Sequence, residues 1–448
     1  MQTFIMVAQL ILALSILVVI HELGHFLAAK LFKIRVDKFY LFFDFLFPMP
    51  NVLKFSIFKI KKGGTEYGLG WFPMGGYVQI AGMVDENMNT EQLNQPAQDW
   101  EFRSKPAWQR MIVMLGGIIF NVILGVIIFA MISFTWGDKS TLNKSIKHGL
   151  HVSELAKELG FKEGDKLISV NGKQIVRFND AITPNIILSD EVIYQVEREN
   201  NTVEVKLPKD FLTKLTKDSR SGLFAPRSEV YVERIVENSN AKKAGLLAGD
   251  KIIAINDSGF QFFSEFKPII NSCAGSTAVL KVLRNGDTLV LNTKVEADGT
   301  IGFMAFDKSF EYETINYSFL ESFPVGISKA VETIGTQIKG WGKIFGGDIP
   351  VSKAVQGPIG IAQFFGSEWV WQNFWMLTAL ISLGLAFANV LPIPALDGGH
   401  VVMLLIEMIT RKPISIKIQE RVQQAGMVIL LSLMVLIFGN DIWQVLNR

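Results

Sequence analysis

Long apolar runs at the two ends of this chain enclose a polar middle. Unbroken hydrophobic stretches cover about 3 to 24, 109 to 135 and 423 to 439, each near the ~20 residues a helix needs to cross a bilayer. A fourth, "FWMLTALISLGLAFANVL" (374 to 391), is flanked by Trp369, Trp371 and Trp375, the aromatic belt expected at a membrane interface. The Pro-broken "PIPALDGGH" follows it, then a shorter apolar piece, "VVMLLIEMI". The pattern predicts a polytopic α-helical membrane protein with four transmembrane helices. The first run also has the length of a signal peptide. "MQT" lacks a basic n-region, however, and no small-residue cleavage site follows, which favours a retained span.

Basic residues set the orientation. Lys30, Lys33, Arg35, Lys38, Lys54, Lys59, Lys61 and Lys62 follow the first span, and Arg411, Lys412, Lys417 and Arg421 precede the last. The positive-inside rule makes both regions cytoplasmic. Four spans then put the segment from about 137 to 370 outside. Within the first basic loop, "VLKFSIFKIKKGGTEYGLGWFPMGGYV" (52 to 78) has a Lys-Gly-Gly turn between extended apolar stretches and reads as a membrane-associated β-hairpin or sheet.

The outside segment contains a repeat. "LGFKEGDKLISVNG" (159 to 172) matches "AGLLAGDKIIAIND" (244 to 257), with Asp165 and Asp250 in equivalent places. In each copy a Gly-Asp turn leads into an alternating strand that ends at an Asn turn. This pattern resembles PDZ domains of the permuted bacterial kind, which implies two α+β domains, 137–224 and 225–308. PDZ domains take extended peptides or C-termini by strand addition; the equal alternative is a pair that binds nothing and filters substrates by size. Residues 309–368 form a linker whose part 320 to 345 has helical apolar spacing with interspersed lysines, suited to the outer membrane surface or to a soluble linker helix. The flanking parts, 1–136 and 369–448, are the membrane regions.

Composition agrees: 49% of the residues are hydrophobic and 19% charged, oilier than a soluble protein. A net charge of +2 gives no reason to expect a nucleic-acid partner. The single cysteine, Cys273, excludes an intrachain disulfide framework and a cysteine-rich zinc site.

Against that background, His21, Glu22 and His25 inside the first apolar run stand out. Residues i and i+4 on a helix share a face, so the H-E-x-x-H arrangement points two imidazoles one way for Zn²⁺ and sets a carboxylate beside them as general base. A lone histidine in an apolar helix is ordinarily structural, the reading we apply to His400. The trio is different, because each ionisable group in a membrane helix costs about 2.5 to 3.5 kcal/mol on insertion scales, and a metal compensates. Catalytic zinc takes three protein ligands. The nearest downstream acid, Asp37, lies beyond a basic and apolar run, whereas Asp397 sits just past a span that runs in the same direction as the first. Asp397 therefore reaches the depth of the histidines.

"HELGH", "NVLPIPALDG" and the repeats between them resemble the site-2 protease family of intramembrane zinc metalloproteases. "PMGGYV" (73 to 78) is similar to that family's Gly-Gly-Tyr loop and "WQRMIVMLGGIIFN" (108 to 121) to its second span. The resemblance implies one Zn²⁺ per chain held by His21, His25 and Asp397, with Glu22 as general base and Asn389 holding the substrate backbone. It also groups Pro392, Pro394, Gly75, Gly76 and Tyr77 with the substrate-binding residues. The implied substrates are single-span membrane proteins already trimmed outside by another protease, such as anti-sigma factors or signal-peptide remnants. The setting is a bacterial inner membrane, with the PDZ pair in the periplasm and the active site near the cytoplasmic face. One stretch departs from the family: "FYLFFDFLFP" after the first span is unusually aromatic. Two other classes compete, a non-catalytic PDZ scaffold for envelope proteins and a lipid-modifying metal enzyme. The scaffold would fit a chain missing Glu22 or a ligand. The lipid enzyme would ordinarily need more than the five histidines present.

Overall fold

The structure, a computed structural model, describes residues 2–46, 49, 52–73, 75–83, 96–208, 211–214, 222–349 and 356–446. The chain divides into two compact units, Met1–Gly137 with Asn316–Arg448, and Asp138–Ile315.

The first unit is a helix bundle with one sheet. Its helices are α1 (Gln2–Leu31), α2 (Ala107–Trp136), α3 (Phe319–Phe345), α4 (Pro358–Phe365), α5 (Trp371–Val390), α6 (Asp397–Thr410) and α7 (Ile416–Leu446). Among the described residues four helices are long and apolar enough to span a membrane, lying in α1, α2, α5 and α7. α1 runs further than the apolar run suggests. It continues past His25 to Leu31 because Phe26, Leu27, Ala28 and Ala29 prolong the hydrophobic helix. His21 thus lies about 15 Å from the helix end at 1.5 Å per residue, inside the span and not at its terminus.

α2 is the centre of the bundle. Gly24 of α1 faces Gly116 of α2 so closely that a Cβ on either would overlap the other's backbone. Ile128, Phe129 and Ile132 of α2 bury against Ala330 of α3 and Ala379 and Leu383 of α5. Lys329 Nζ of α3 donates to Ser133 Oγ at 2.8 Å, and Trp341 of α3 reaches Phe387 of α5. The helix expected at 320 to 345 forms and packs along α2 and α5, where its small residues Ser322, Gly326 and Ala330 permit close packing. At the other end of α2, Arg110 pairs with Glu407 of α6.

The sheet comprises β1 (Val36–Leu41), β2 (Ser56–Lys62), β3 (Thr65–Gly70) and β4 (Tyr77–Ile80), in the order β2-β3-β1-β4. The β2–β3 hairpin turns at Gly63 and Gly64, both at positive φ, where the Lys-Gly-Gly signal placed it. β1 is new, and it runs parallel to β3. The aromatic stretch that departs from the family supplies the last three residues of β1 and the loop after it. Tyr40 and Phe43 stack on Tyr77 with centroids 5.3 and 6.1 Å away, and Asp44 accepts the Tyr77 hydroxyl at 2.9 Å. The aromatics fill the space that Gly75 leaves, since a Cβ there would meet the Phe43 ring. Phe47, Pro48 and Met74 of the quoted stretches lie outside the described residues.

The second unit bears out the repeat atom by atom. Arg198 grips Asp165 through Nε and Nη2 at 2.8 and 2.7 Å, and Arg284 grips Asp250 at 2.7 and 2.7 Å. In each copy the same Arg also donates to a glycine carbonyl, Gly160 or Gly245. The carboxylate accepts a backbone amide from Lys162 or Leu247. Strands Val192–Arg198 and Lys166–Val170 pair in the first copy, Thr277–Arg284 and Lys251–Ile255 in the second. Strand Phe224–Pro226 pairs with Leu150–Val152, so a division between residues 224 and 225 would cut a strand that packs with the first copy.

Candidate metal centre

Two elements deliver three donor atoms. α1 holds His21 and His25 one turn apart, and Asp397 opens α6 directly after the break that ends α5. His21 Nε2 lies 3.2 Å and His25 Nε2 3.4 Å from Asp397 Oδ2, and the two nitrogens are 3.2 Å apart. Tetrahedral zinc with bonds of about 2.0 to 2.1 Å separates its ligand atoms by about 3.3 to 3.4 Å. The triangle therefore has the size of one face of such a site. Asp397 Oδ2 is buried without a hydrogen-bond donor among the described residues, which is costly unless a cation takes its place. Among the described residues this is the group of His, Cys, Asp or Glu that could hold a metal ion. The donors fit the metal.

α2 contributes none of the three donors but fixes both rings. Val113 O lies 2.8 Å from His25 Nδ1, and the Asn121 side chain lies 3.1 Å from His21 Nδ1. Between them both rings close on Gly117, edge to face with each other at 82°; a Cβ there would stand 2.5 Å from His25 Nε2 and 2.6 Å from His21 Cε1.

The loop before Asp397 is not helical because Pro392 and Pro394 remove backbone donors and clash with a continuing helix. Ile393 N and Leu396 N instead close short turns onto Leu391 O and Ile393 O. Ala395 is held at φ 73°, a left-handed conformation that costs a non-glycine residue about 1 to 2 kcal/mol. Such strain marks a segment shaped by its surroundings.

A cavity of about 450 Å³ opens on the triangle. Its lining includes His21, Glu22, His25, Asp397, Asn389, Gly75, Gly76 and Tyr77, so the structure gathers nearly every residue singled out from sequence. Pro392 and Pro394 are not part of the lining; they shape the loop, and Pro394 abuts Gly426 of α7. Sequence reading missed Phe43 and Phe72, which form an aromatic wall. It also assigned His400 a purely structural place, whereas His400 faces the cavity one turn beyond Asp397. Its i+3 spacing from Asp397 was the available signal. The walls are otherwise apolar, with Leu14, Val18, Leu430 and Met434 among them. β4 forms one side through Tyr77, Val78 and Ile80, and the sheet order ends at β4, so its outer edge is an open strand edge among the described residues.

Comparison with known proteins decides the class of this site. The sequence profile of peptidase family M50 matches residues 9–433. The chain belongs to that family. It is a metalloendopeptidase of a bacterial inner membrane, and the names of some of its relatives specify zinc. It is 29% identical to the regulator of sigma E protease of Haemophilus influenzae, over 96% of this chain and 97% of that one. It is 30% identical to a Pasteurella multocida protein whose name is that of a zinc metalloprotease, over 97% and 98% of the two chains. The Escherichia coli regulator of sigma-E protease RseP is 26% identical over 97% of each chain. A solved PDZ domain of an SdrC-like protein from Listeria monocytogenes aligns with 18% of this chain and 90% of its own at 23% identity and TM-score 0.17.

Proposed function

We propose that this M50 member cleaves the membrane span of single-span proteins within the bilayer, using one zinc held by His21, His25 and Asp397. The triangle of donor atoms at 3.2 to 3.4 Å, set inside an apolar cavity, carries this reading. A zinc ion there would serve as Lewis acid for the scissile carbonyl and lower the pKa of water. Glu22, beside the histidines on the same helix, accepts the proton of the attacking water and returns it to the leaving amine.

A substrate helix hides its carbonyls in its own hydrogen bonds and must be unwound first. The open edge of β4 can take over those bonds as a paired strand. Asn389, 7% exposed in the last turn of α5, can donate its amide to a substrate carbonyl. Gly75, Gly76 and Tyr77 shape the entry to that edge, and Pro392 and Pro394 hold the loop that carries Asp397.

We assign the second unit as two periplasmic PDZ domains. Their paired Asp–Arg clamps and the composition of the segment support this, and either peptide binding or size filtering suits them. With basic loops on the cytoplasmic side, the site faces that side of the membrane. The substrate class of this reading is an anti-sigma factor already cut outside, or a signal-peptide remnant, whose cleavage releases a regulatory fragment; the relatives named as regulators of sigma E support a regulatory role.

The test uses the full chain in detergent or proteoliposomes with a model single-span substrate. Glu22→Gln abolishes cleavage while zinc stays near one equivalent per chain, and Asp397→Ala loses zinc. Cleavage at the wild-type rate by Glu22→Gln would remove the assigned mechanism.

A further inference from the structure

We propose that Asn121 is a positioning residue that fixes the tautomer of His21, presenting its amide oxygen to Nδ1–H so that Nε2 keeps its lone pair for the metal. This rests on the metal assignment above. The two histidines differ in what meets their outer nitrogens. His25 Nδ1 lies 2.8 Å from Val113 O, a backbone carbonyl that can only accept. The proton of His25 is therefore on Nδ1, and its Nε2 is free to ligate.

His21 Nδ1 lies 3.1 Å from the Asn121 side-chain nitrogen, and Asn121 is fully buried, with its Oδ1 lacking a hydrogen-bond partner among the described residues. In that orientation the amide donates to Nδ1, which forces the His21 proton onto Nε2, where a metal would have to bind. The nitrogen and oxygen of an asparagine amide occupy equivalent places, and the hydrogen-bond network decides between them. Reversing the amide brings Oδ1 to Nδ1, places the proton there, and makes the two imidazoles equivalent. The backbone of Asn121 is itself held, since Ser382 Oγ of α5 donates to Asn121 O at 2.8 Å. α2 thus carries two acceptors, one backbone and one side chain, one behind each ligand.

The experiment compares zinc affinity, by chelator competition on the purified full chain, for wild type, Asn121→Asp and Asn121→Leu, with circular dichroism and size-exclusion profiles confirming the fold. A carboxylate can only accept, so Asn121→Asp is expected to hold zinc at least as tightly as wild type. Asn121→Leu, similar in size and unable to accept, is expected to lose about 10- to 100-fold in affinity, as metal sites do when a ligand's supporting partner is removed. A folded Asn121→Asp protein that loses more than tenfold, or an Asn121→Leu protein with wild-type affinity, overturns the proposal. If Asn121→Leu does not fold, the Asn121→Asp result decides alone. His21→Ala separates the two levels of the argument: unchanged zinc affinity there defeats the metal assignment itself, whereas loss there with no effect at Asn121 defeats only the tautomer role.

Discussion

A single methyl group at Gly117 should dismantle the proposed metal centre without replacing any of its ligands. The perturbation is Gly117→Ala. An added Cβ would stand 2.5 Å from His25 Nε2, 2.6 Å from His21 Cε1 and 2.8 Å from His21 Nδ1, where ordinary contacts begin at 3.4 Å. Both rings would have to withdraw by roughly 1 Å, and the packing around them resists, because interiors have little free volume to absorb such a shift. Metal sites hold their ligand distances to about 0.2 Å. A shift of about 1 Å in a reacting group is enough to cost about a hundredfold in rate. We therefore expect Gly117→Ala to lose zinc on dialysis against a weak chelator and to fall about a hundredfold in cleavage of a single-span substrate.

Gly335→Ala is the matched control. It lies within α3, and a Cβ there meets nothing within 4 Å, so it should keep zinc and activity and gain up to about 1 kcal/mol of helix stability. Zinc content by plasma emission spectroscopy and initial cleavage rates read both variants, with size exclusion confirming that each is folded. Gly117→Ala protein with one zinc per chain and wild-type cleavage would refute the reasoning, because the rings could not then be seated as described.

The remaining predictions concern the strained loop and the outer unit. Ala395→Val puts a β-branched residue at φ 73° and should destabilise the loop by about 1 to 2 kcal/mol, lowering zinc retention at the neighbouring Asp397; Ala395→Gly should retain zinc fully. Asp250→Asn should lower the stability of the second unit, because it removes the negative charge that pairs with Arg284 from a side chain that is 1% exposed, read by thermal or urea melts. The acid response has a definite sign. Burial alone would raise the Asp250 pKa, but the Arg284 fork and the Leu247 amide more than offset it and hold the carboxyl below its ordinary range. Its stabilisation is present above the unfolded value of about 3.9 and disappears as pH falls through the lower folded value. Wild type should therefore lose its advantage over Asp250→Asn only below about pH 4, and a constant difference down to strong acid would contradict the assignment.

Spans, hairpin and repeat were legible because each is a local signal: apolar length, a Lys-Gly-Gly turn, a recurring Gly-Asp motif. The Asp–Arg clamps were half legible, since Asp165 and Asp250 sit in the motif while Arg198 and Arg284 lie on strands further along. β1 was not legible. It pairs in parallel with β3, and "VDKFYL" lacks the strict alternation that marks a strand; only the distant Gly75 and Tyr77 explain the aromatic content of the run that continues it. The helix at 320 to 345 was legible in sequence, but its packing against α2 and α5 was not. Its amphipathic pattern cannot distinguish a membrane surface from a bundle flank, because both take up one apolar face.

The metal centre divides along the same line. The proposed ligands His21 and His25 announce themselves, because ionisable groups in an apolar helix demand a partner. Its support does not, because Val113 acts through a carbonyl and Gly117 through the side chain it lacks. Yet Val113, Gly116, Gly117 and Asn121 fall within about 140° of arc on α2 at 100° per residue, one stripe turned toward α1. A span in which small residues, an amide and an accessible carbonyl share a stripe is built to receive something rigid and polar. Lipid asks for none of these, and ordinary helix packing uses the small residues alone. Asn121 is what the packing of two spans does not require, and its place behind His21 makes α2 the template on which the two imidazoles are seated.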